Sequence, residues 1–121
     1  MKVDRLTVDL PMYWARIDFY ICDDYGLVAK KVPEWARNDV LESTSYGTCT
    51  FGMVKEHELY RRPVIFMREH DLPTACHEIL HACTWTLDQS GIPVNHTNDE
   101  TLAYMQGYVF RKYLDKFWDI S

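Results

Sequence analysis

The stretch "PVIFMREHDLPTACHEILHACTWTLDQSG", residues 63–91, changes its hydrophobic period halfway along, and that change decides the fold class. Val64 to Met67 is a short unbroken apolar run, which reads as a strand. From Leu72 to Gln89, apolar residues recur at 72, 76, 79, 80, 83 and 87, the spacing of one helix face. Asp71 is placed to cap this helix. Pro73 sits in its first turn, where a missing N–H is tolerated, and Gly91 follows as a stop.

Working outward from this strand and helix, "VDRLTVDL" and "YWARIDFYICDD" both alternate and read as strands, with Pro11 marking a turn between them. In the second strand Ala15, Ile17, Phe19 and Ile21 share a face. Trp14, Arg16, Asp18 and Tyr20 share the other, so core is expected on one side only. "PEWARNDVLE" opens with proline and reads as a short helix. "SYGTCTFGMV" carries β-favouring residues between Gly47 and Gly52 and reads as a strand with room for a bulge. Downstream, "GIPVNHTND" is a loop. A second long helix spans about Asp99 to Phe117, with Leu102, Met105, Val109, Tyr113 and Phe117 along one side and Thr97 or Asn98 as cap. The expectation is an α+β fold: a mainly antiparallel sheet in one layer and helices in the other. At 121 residues, 47% of them apolar, the chain has enough core for one domain, residues 1–121, and too little for two.

The helix at 72–89 carries "HEILH". His77 and His81 are four apart, so their rings project from one face, one turn apart, and can reach one metal ion at about 2.0–2.1 Å each. Glu78 lies beside the first, where its carboxylate can take a proton from a metal-bound water. Three fixed positions arise by chance about once in a hundred chains of this composition, so context must support the motif. The motif lies inside an amphipathic helix preceded by an apolar strand. Its histidines, on a face with 84 and 88, lie apart from the apolar stripe at 76, 80, 83 and 87. The alternative is two surface histidines with no ligand.

Zinc that does chemistry needs a third protein ligand and one open position. Glu100 begins the second long helix and shares a face with Ala103, Tyr104, Gly107 and Tyr108. The small residues at 103 and 107 suggest a close approach to the histidine helix. Glu100 is the first candidate for third ligand. Its other reading is a first-turn carboxylate favoured by the helix dipole, or the glutamate of a capping box with Thr97. His96 and Asp99 are the next candidates, and Cys49 is a distant one. Tyr104, one turn beyond Glu100, is the first candidate for a donor to a developing oxyanion, with His96 and Tyr46 behind it.

"HEILH" followed by "ETLAY" resembles the short zincin metallopeptidases of the gluzincin type, which take two histidines from H-E-x-x-H and a glutamate from the next helix. Among these it is most similar to small phage-encoded and ImmA/IrrE-like zinc peptidases. The likeness covers about residues 63–110, and the first 60 residues resemble nothing familiar. It implies a minimal zinc peptidase with Glu78 as general base, ligands His77, His81 and Glu100, and a sheet edge lining the cleft for a peptide or protein substrate. Across such families the pattern around the position of Glu100 is looser than the H-E-x-x-H core. Two alternatives stay open: a zinc-binding interaction module without activity, and a deformylase-like amide hydrolase with a cysteine as third ligand. Against the last, "YGTCTFG" does not resemble the deformylase cysteine motif.

Composition narrows the partners. A net charge of −5 argues against nucleic acid. The small basic groups Arg61–Arg62 and Lys30–Lys31 read as solvated surface. The start has no apolar run of signal-peptide length, and no stretch approaches the roughly 20 apolar residues of a membrane span, so a cytoplasmic protein is expected. Four scattered cysteines without a C-x-x-C pair read as small buried hydrophobes. Tyr113, Phe117 and Trp118 read as core, with docking of a protein partner or a second copy as the alternative. "PVIFM" is a candidate for pairing with an extended substrate strand.

Overall fold

The computed structural model describes residues 1–52, 61–97 and 99–118. Four strands and four helices follow in the order β1 (Asp4–Leu10), β2 (Ala15–Ile21), α1 (Tyr25–Ala29), α2 (Arg37–Glu42), β3 (Gly47–Thr50), β4 (Val64–Met67), α3 (Leu72–Gln89) and α4 (Asp99–Phe117). The strands form one mixed sheet, ordered β1-β2-β4-β3. The β1–β2 and β3–β4 pairings are antiparallel, while β2 and β4 run parallel.

The β1–β2 connection is a short 3-10 turn at Pro11–Tyr13, closed by the Trp14 amide donating to the Pro11 carbonyl at 3.2 Å. Trp14 takes a left-handed backbone there, with φ of 49°. β2 departs from the sequence expectation, because both of its faces are buried. Ile17, Phe19 and Ile21 join Ile65 and Met67 beneath α3 and α4. Tyr20 and Cys22 join Val64 and Phe66 beneath α1 and α2. The molecule is therefore layered helix–sheet–helix rather than two layers deep. Helix α1 was not anticipated. It is five residues long, too short to show a hydrophobic period, and its one local signal is the Asp24 cap accepting from the Gly26 amide at 2.9 Å.

Asp18 is a charged residue in the central strand, and its burial is compensated. It accepts from the Thr7 hydroxyl and from Arg62, each at 2.8 Å, and Arg16 lies at 3.5 Å. Arg61 donates to the carbonyls of Tyr13 and Gln89. The Arg61–Arg62 pair is thus bound up in the fold and forms no free basic patch.

Helix α3 begins and ends where the sequence places it. The Asp71 side chain accepts from the Thr74 amide at 3.1 Å and from its hydroxyl at 2.6 Å, and these bonds hold the Asp71 carboxyl below the usual carboxylate range. At the other end Gly91, at φ +76°, allows two closing bonds: the Gly91 amide to the Asp88 carbonyl and the Ile92 amide to the Leu87 carbonyl. This pair of bonds is the Schellman stop, which a Cβ at Gly91 would strain. For α4, Leu102, Met105, Val109 and Tyr113 pack into the α3 side of the core. Tyr113, Phe117 and Trp118 gather around His70, whose ring bonds the Tyr113 hydroxyl and the Asp4 carboxylate at 2.8 Å each. Tyr113 is core, Phe117 and Trp118 are half-buried against it, and the group ties the first strand to the last helix. The expected cap at Asn98, and the continuation of β3 into Met53 and Val54, lie outside the described residues. No described helix is long and apolar enough to cross a membrane.

Candidate metal centre

Helix α3 lies on the sheet through Ala75, Glu78, Ile79, Ala82, Cys83, Thr86 and Leu87, all buried. The buried stripe is rotated from the one expected, because Cys76 and Leu80 are exposed and Glu78 is inside. His77 and His81 project from the opposite, exposed face. Their Nε2 atoms are 3.1 Å apart, with the rings nearly perpendicular at 80°. Without an ion this is a hydrogen bond between the two rings, whose donor depends on their tautomers. A tetrahedral ion bound at about 2.0–2.1 Å needs the two nitrogens about 3.3 Å apart, so the pair fits one zinc with a few tenths of an ångström of adjustment.

Glu78 lies on the flank of α3 that faces β3 and is only 6% exposed. Glycine is required there. A Cβ at Gly47 would stand closer than 3.0 Å to the Thr74 Cγ2 and 3.7 Å from the Glu78 Cγ. Farther along the same seam Phe51 stacks on Trp85, with ring centres 4.9 Å apart and planes 19° apart. Strand β3 is thereby held against the side of α3 that carries Glu78. The ligand atoms of His77, Glu78 and His81 all lie within 4.8 Å of one another.

The remaining expected site residues are not part of this group. Glu100 and Tyr104 are exposed, Tyr104 to 75%. Tyr104 lines a cavity of about 350 Å³ with Leu10, Tyr13, Thr101, Met105 and Tyr108, and none of the three cluster residues lines it. The opposite flank of α4 meets α3, where the Gln106 amide donates to the Cys76 carbonyl at 3.5 Å. By helical spacing Asp99 and Ala103 share the flank of Gln106, while Glu100 shares that of Tyr104. A Cβ on Gly107 would meet nothing within 4 Å, so Gly107 does not mediate a close helix approach. His96 is exposed in the α3–α4 loop. Cys49, on β3, packs against the core under α3. Burial, and then the neighbouring Glu78 charge, push its thiol well up. All four cysteines are free, and Cys76 is exposed rather than buried.

Tyr46 is one of the two reserve candidates for oxyanion donor. It is exposed, it precedes Gly47 at the start of β3, and it lines a cavity of about 240 Å³ with Glu69, Asp71 and Thr74, the last of these one turn before Glu78. Gly47, a glycine at the head of a strand, is the local signal of close backbone approach there. Strand β4 has partners on both sides, so "PVIFM" cannot accept a substrate strand. Among the described residues β3 is the outermost strand on that side. The Arg68 amide donates to the Tyr46 carbonyl, and the Arg62 amide to the Gly52 carbonyl. The antiparallel alternation therefore turns the main-chain groups of Thr48 and Thr50 toward β4, and those of Gly47 and Cys49 toward the free edge. Comparison of the chain with family models, with curated proteins and with solved structures gives no match.

Proposed function

We propose that this chain is a zinc-dependent peptidase. The observation that carries the reading is the pair of imidazole nitrogens 3.1 Å apart on the exposed face of α3, with the buried carboxylate of Glu78 within 4.8 Å of them. His77 and His81 would hold the ion. An acid from the start of α4 would complete the set: Glu100 on the gluzincin resemblance, or Asp99 on the side of α4 that meets α3. Bound zinc would polarise the scissile carbonyl and bring the pKa of its water down toward about 7.

Glu78 supplies the proton path. Its carboxylate accepts a proton from the attacking water and delivers it to the leaving amine. Its burial against β3 fixes where that carboxylate can be. Gly47 and Cys49 offer main-chain donors and acceptors to an extended peptide added at the edge of β3, above the motif helix. Tyr46 stands at the head of that edge and serves as oxyanion donor in preference to Tyr104, which faces the cavity over Leu10 and Tyr13. The position of Cys49 in the core, outside the histidine group, speaks against the deformylase-like alternative. The buried Glu78 speaks against a purely structural zinc module, which has no use for a base there.

Elemental mass spectrometry on untagged protein tests this directly, paired with hydrolysis of a quenched-fluorescence peptide library. The reading requires about one zinc per chain. It requires loss of metal in His77→Ala, and retained metal with lost hydrolysis in Glu78→Gln. No zinc after reconstitution would end the reading.

A further inference from the structure

We propose that a second site, on the far side of the sheet, binds a phosphate-bearing small molecule through a cationic cavity. A cavity of about 490 Å³ is lined by Met1, Lys2, Val3, Arg5, Leu27, Lys30 and Lys31. Its size falls within the range of about 300–1,000 Å³ typical of small-molecule sites. Four of the seven lining residues are cations and none is acidic, in a chain whose net charge is −5. Such a local excess is not expected from the composition. Among the described residues, none of these four cations lies within salt-bridge distance of a carboxylate.

Two features identify the ligand class. The first is charge. Four like charges brought together without a counter-ion repel one another, and a bound polyanion relieves that repulsion. Arg5 is held in place: its Cζ sits 5.0 Å from the centre of the buried Tyr20 ring, and its guanidinium donates to the Tyr20 hydroxyl at 3.4 Å. It presents a fixed fork suited to phosphate, while Lys2, Lys30 and Lys31 add mobile point charges. The second is shape. Val3 and Leu27 pack onto the core beneath α1 and give the cavity an apolar wall. One inorganic phosphate would leave that wall unused. The fit is to a mono- or diphosphate carrying an apolar or planar body, such as a nucleoside diphosphate.

The cavity lies at β1, while the histidine cluster lies beside β3 at the opposite edge of the sheet. It is also on the α1 face of the sheet, not the α3 face. The proposal therefore does not depend on the peptidase reading.

Isothermal titration calorimetry with pyrophosphate and with ADP tests it, on wild-type protein, on Lys30→Glu/Lys31→Glu and on His77→Ala/His81→Ala. The last variant removes chelation of a bound metal as a source of heat. Expected are saturable 1:1 binding with Kd below about 1 mM, tighter for ADP than for pyrophosphate. Weakening by about tenfold or more is expected in the lysine variant, with no change in the histidine variant. Both lysines are exposed, and circular dichroism confirms that the variant folds. No saturable binding at low salt, or equal binding by wild type and lysine variant, overturns the proposal. So does association with phosphatidylglycerol vesicles in the absence of ADP binding, which would make this face a membrane-surface patch.

Discussion

Replacing Gly47 by alanine should destabilise the protein, although a glycine-to-alanine change at ordinary backbone angles normally does the reverse. Gly91 is the only described glycine with positive φ, so Gly47 has a conformation that alanine can adopt. The entropic effect alone would stabilise by about 0.4–1 kcal/mol. Against this, the new methyl would sit closer than 3.0 Å to the Thr74 Cγ2 and 3.3 Å from the Met67 Cγ. Thr74 cannot rotate away cheaply, because its hydroxyl donates to Asp71 at 2.6 Å in the cap of α3. Overpacking of this kind costs about 1–3 kcal/mol, which exceeds the entropic gain. The net loss should be about 1–2 kcal/mol, or several degrees in Tm for a chain of this length. Thr74→Ser removes only the offending methyl and keeps the capping hydroxyl. The double variant should therefore recover most of the loss, with a coupling of about 1 kcal/mol or more between the sites. Urea denaturation of the four proteins of the cycle measures it. A neutral or stabilising Gly47→Ala, or a double variant no more stable than Gly47→Ala, would refute the packing of β3 on α3 that positions Glu78.

Three further outcomes follow from the same structure. Among third-ligand candidates, Glu100→Gln and Asp99→Asn should differ: the variant that removes the true ligand lowers zinc affinity by about tenfold or more, measured by competition with a chromogenic chelator. A pair of unaffected variants would leave α4 out of the site. Tyr25 and Tyr113 are pushed up to about 12, chiefly by burial, from an ordinary value of 10.0. Their neutral forms favour the folded state, so the stability they contribute is complete below pH 10 and is lost as pH rises from about 10 to about 12. Absorbance titration at 295 nm with parallel circular dichroism should show two late tyrosines and unfolding within that window. Two tyrosines titrating normally in folded protein would contradict it. Finally, Cys76 alone should react rapidly with a thiol reagent at pH 8, since Cys22 and Cys83 are buried and burial pushes the Cys83 thiol up to about 12. Rapid labelling of a second thiol would show that the α3 core opens readily.

The elements whose signals are local were legible in the sequence. Helix α3 runs from Leu72 to Gln89 because its cap, its 3.6-residue period and its glycine stop all lie within its own residues. The same holds for β4 and for the span of α4. His77 and His81 meet because a helix brings positions four apart together whatever surrounds it. What sequence could not supply depended on neighbours distant along the chain. Alternation in β2 suggested one buried face, yet Asp18 and Tyr20 are buried too, because α1, α2 and Arg62 cover them. Among the described residues the strand order made β3 the edge and placed β4 inside, since pairing between strands is chosen by the whole sheet. Which flank of α4 meets α3 was decided by the packing of Met105, Val109 and Tyr113, and that rotation turned Tyr104 toward Leu10 and Tyr13 and Gln106 toward Cys76. The sequence by itself therefore determined a helix with two convergent imidazoles and a carboxylate beside them. Only the tertiary structure decided which face of that helix is buried and which strand stands over Glu78, because those depend on contacts between segments far apart in the chain.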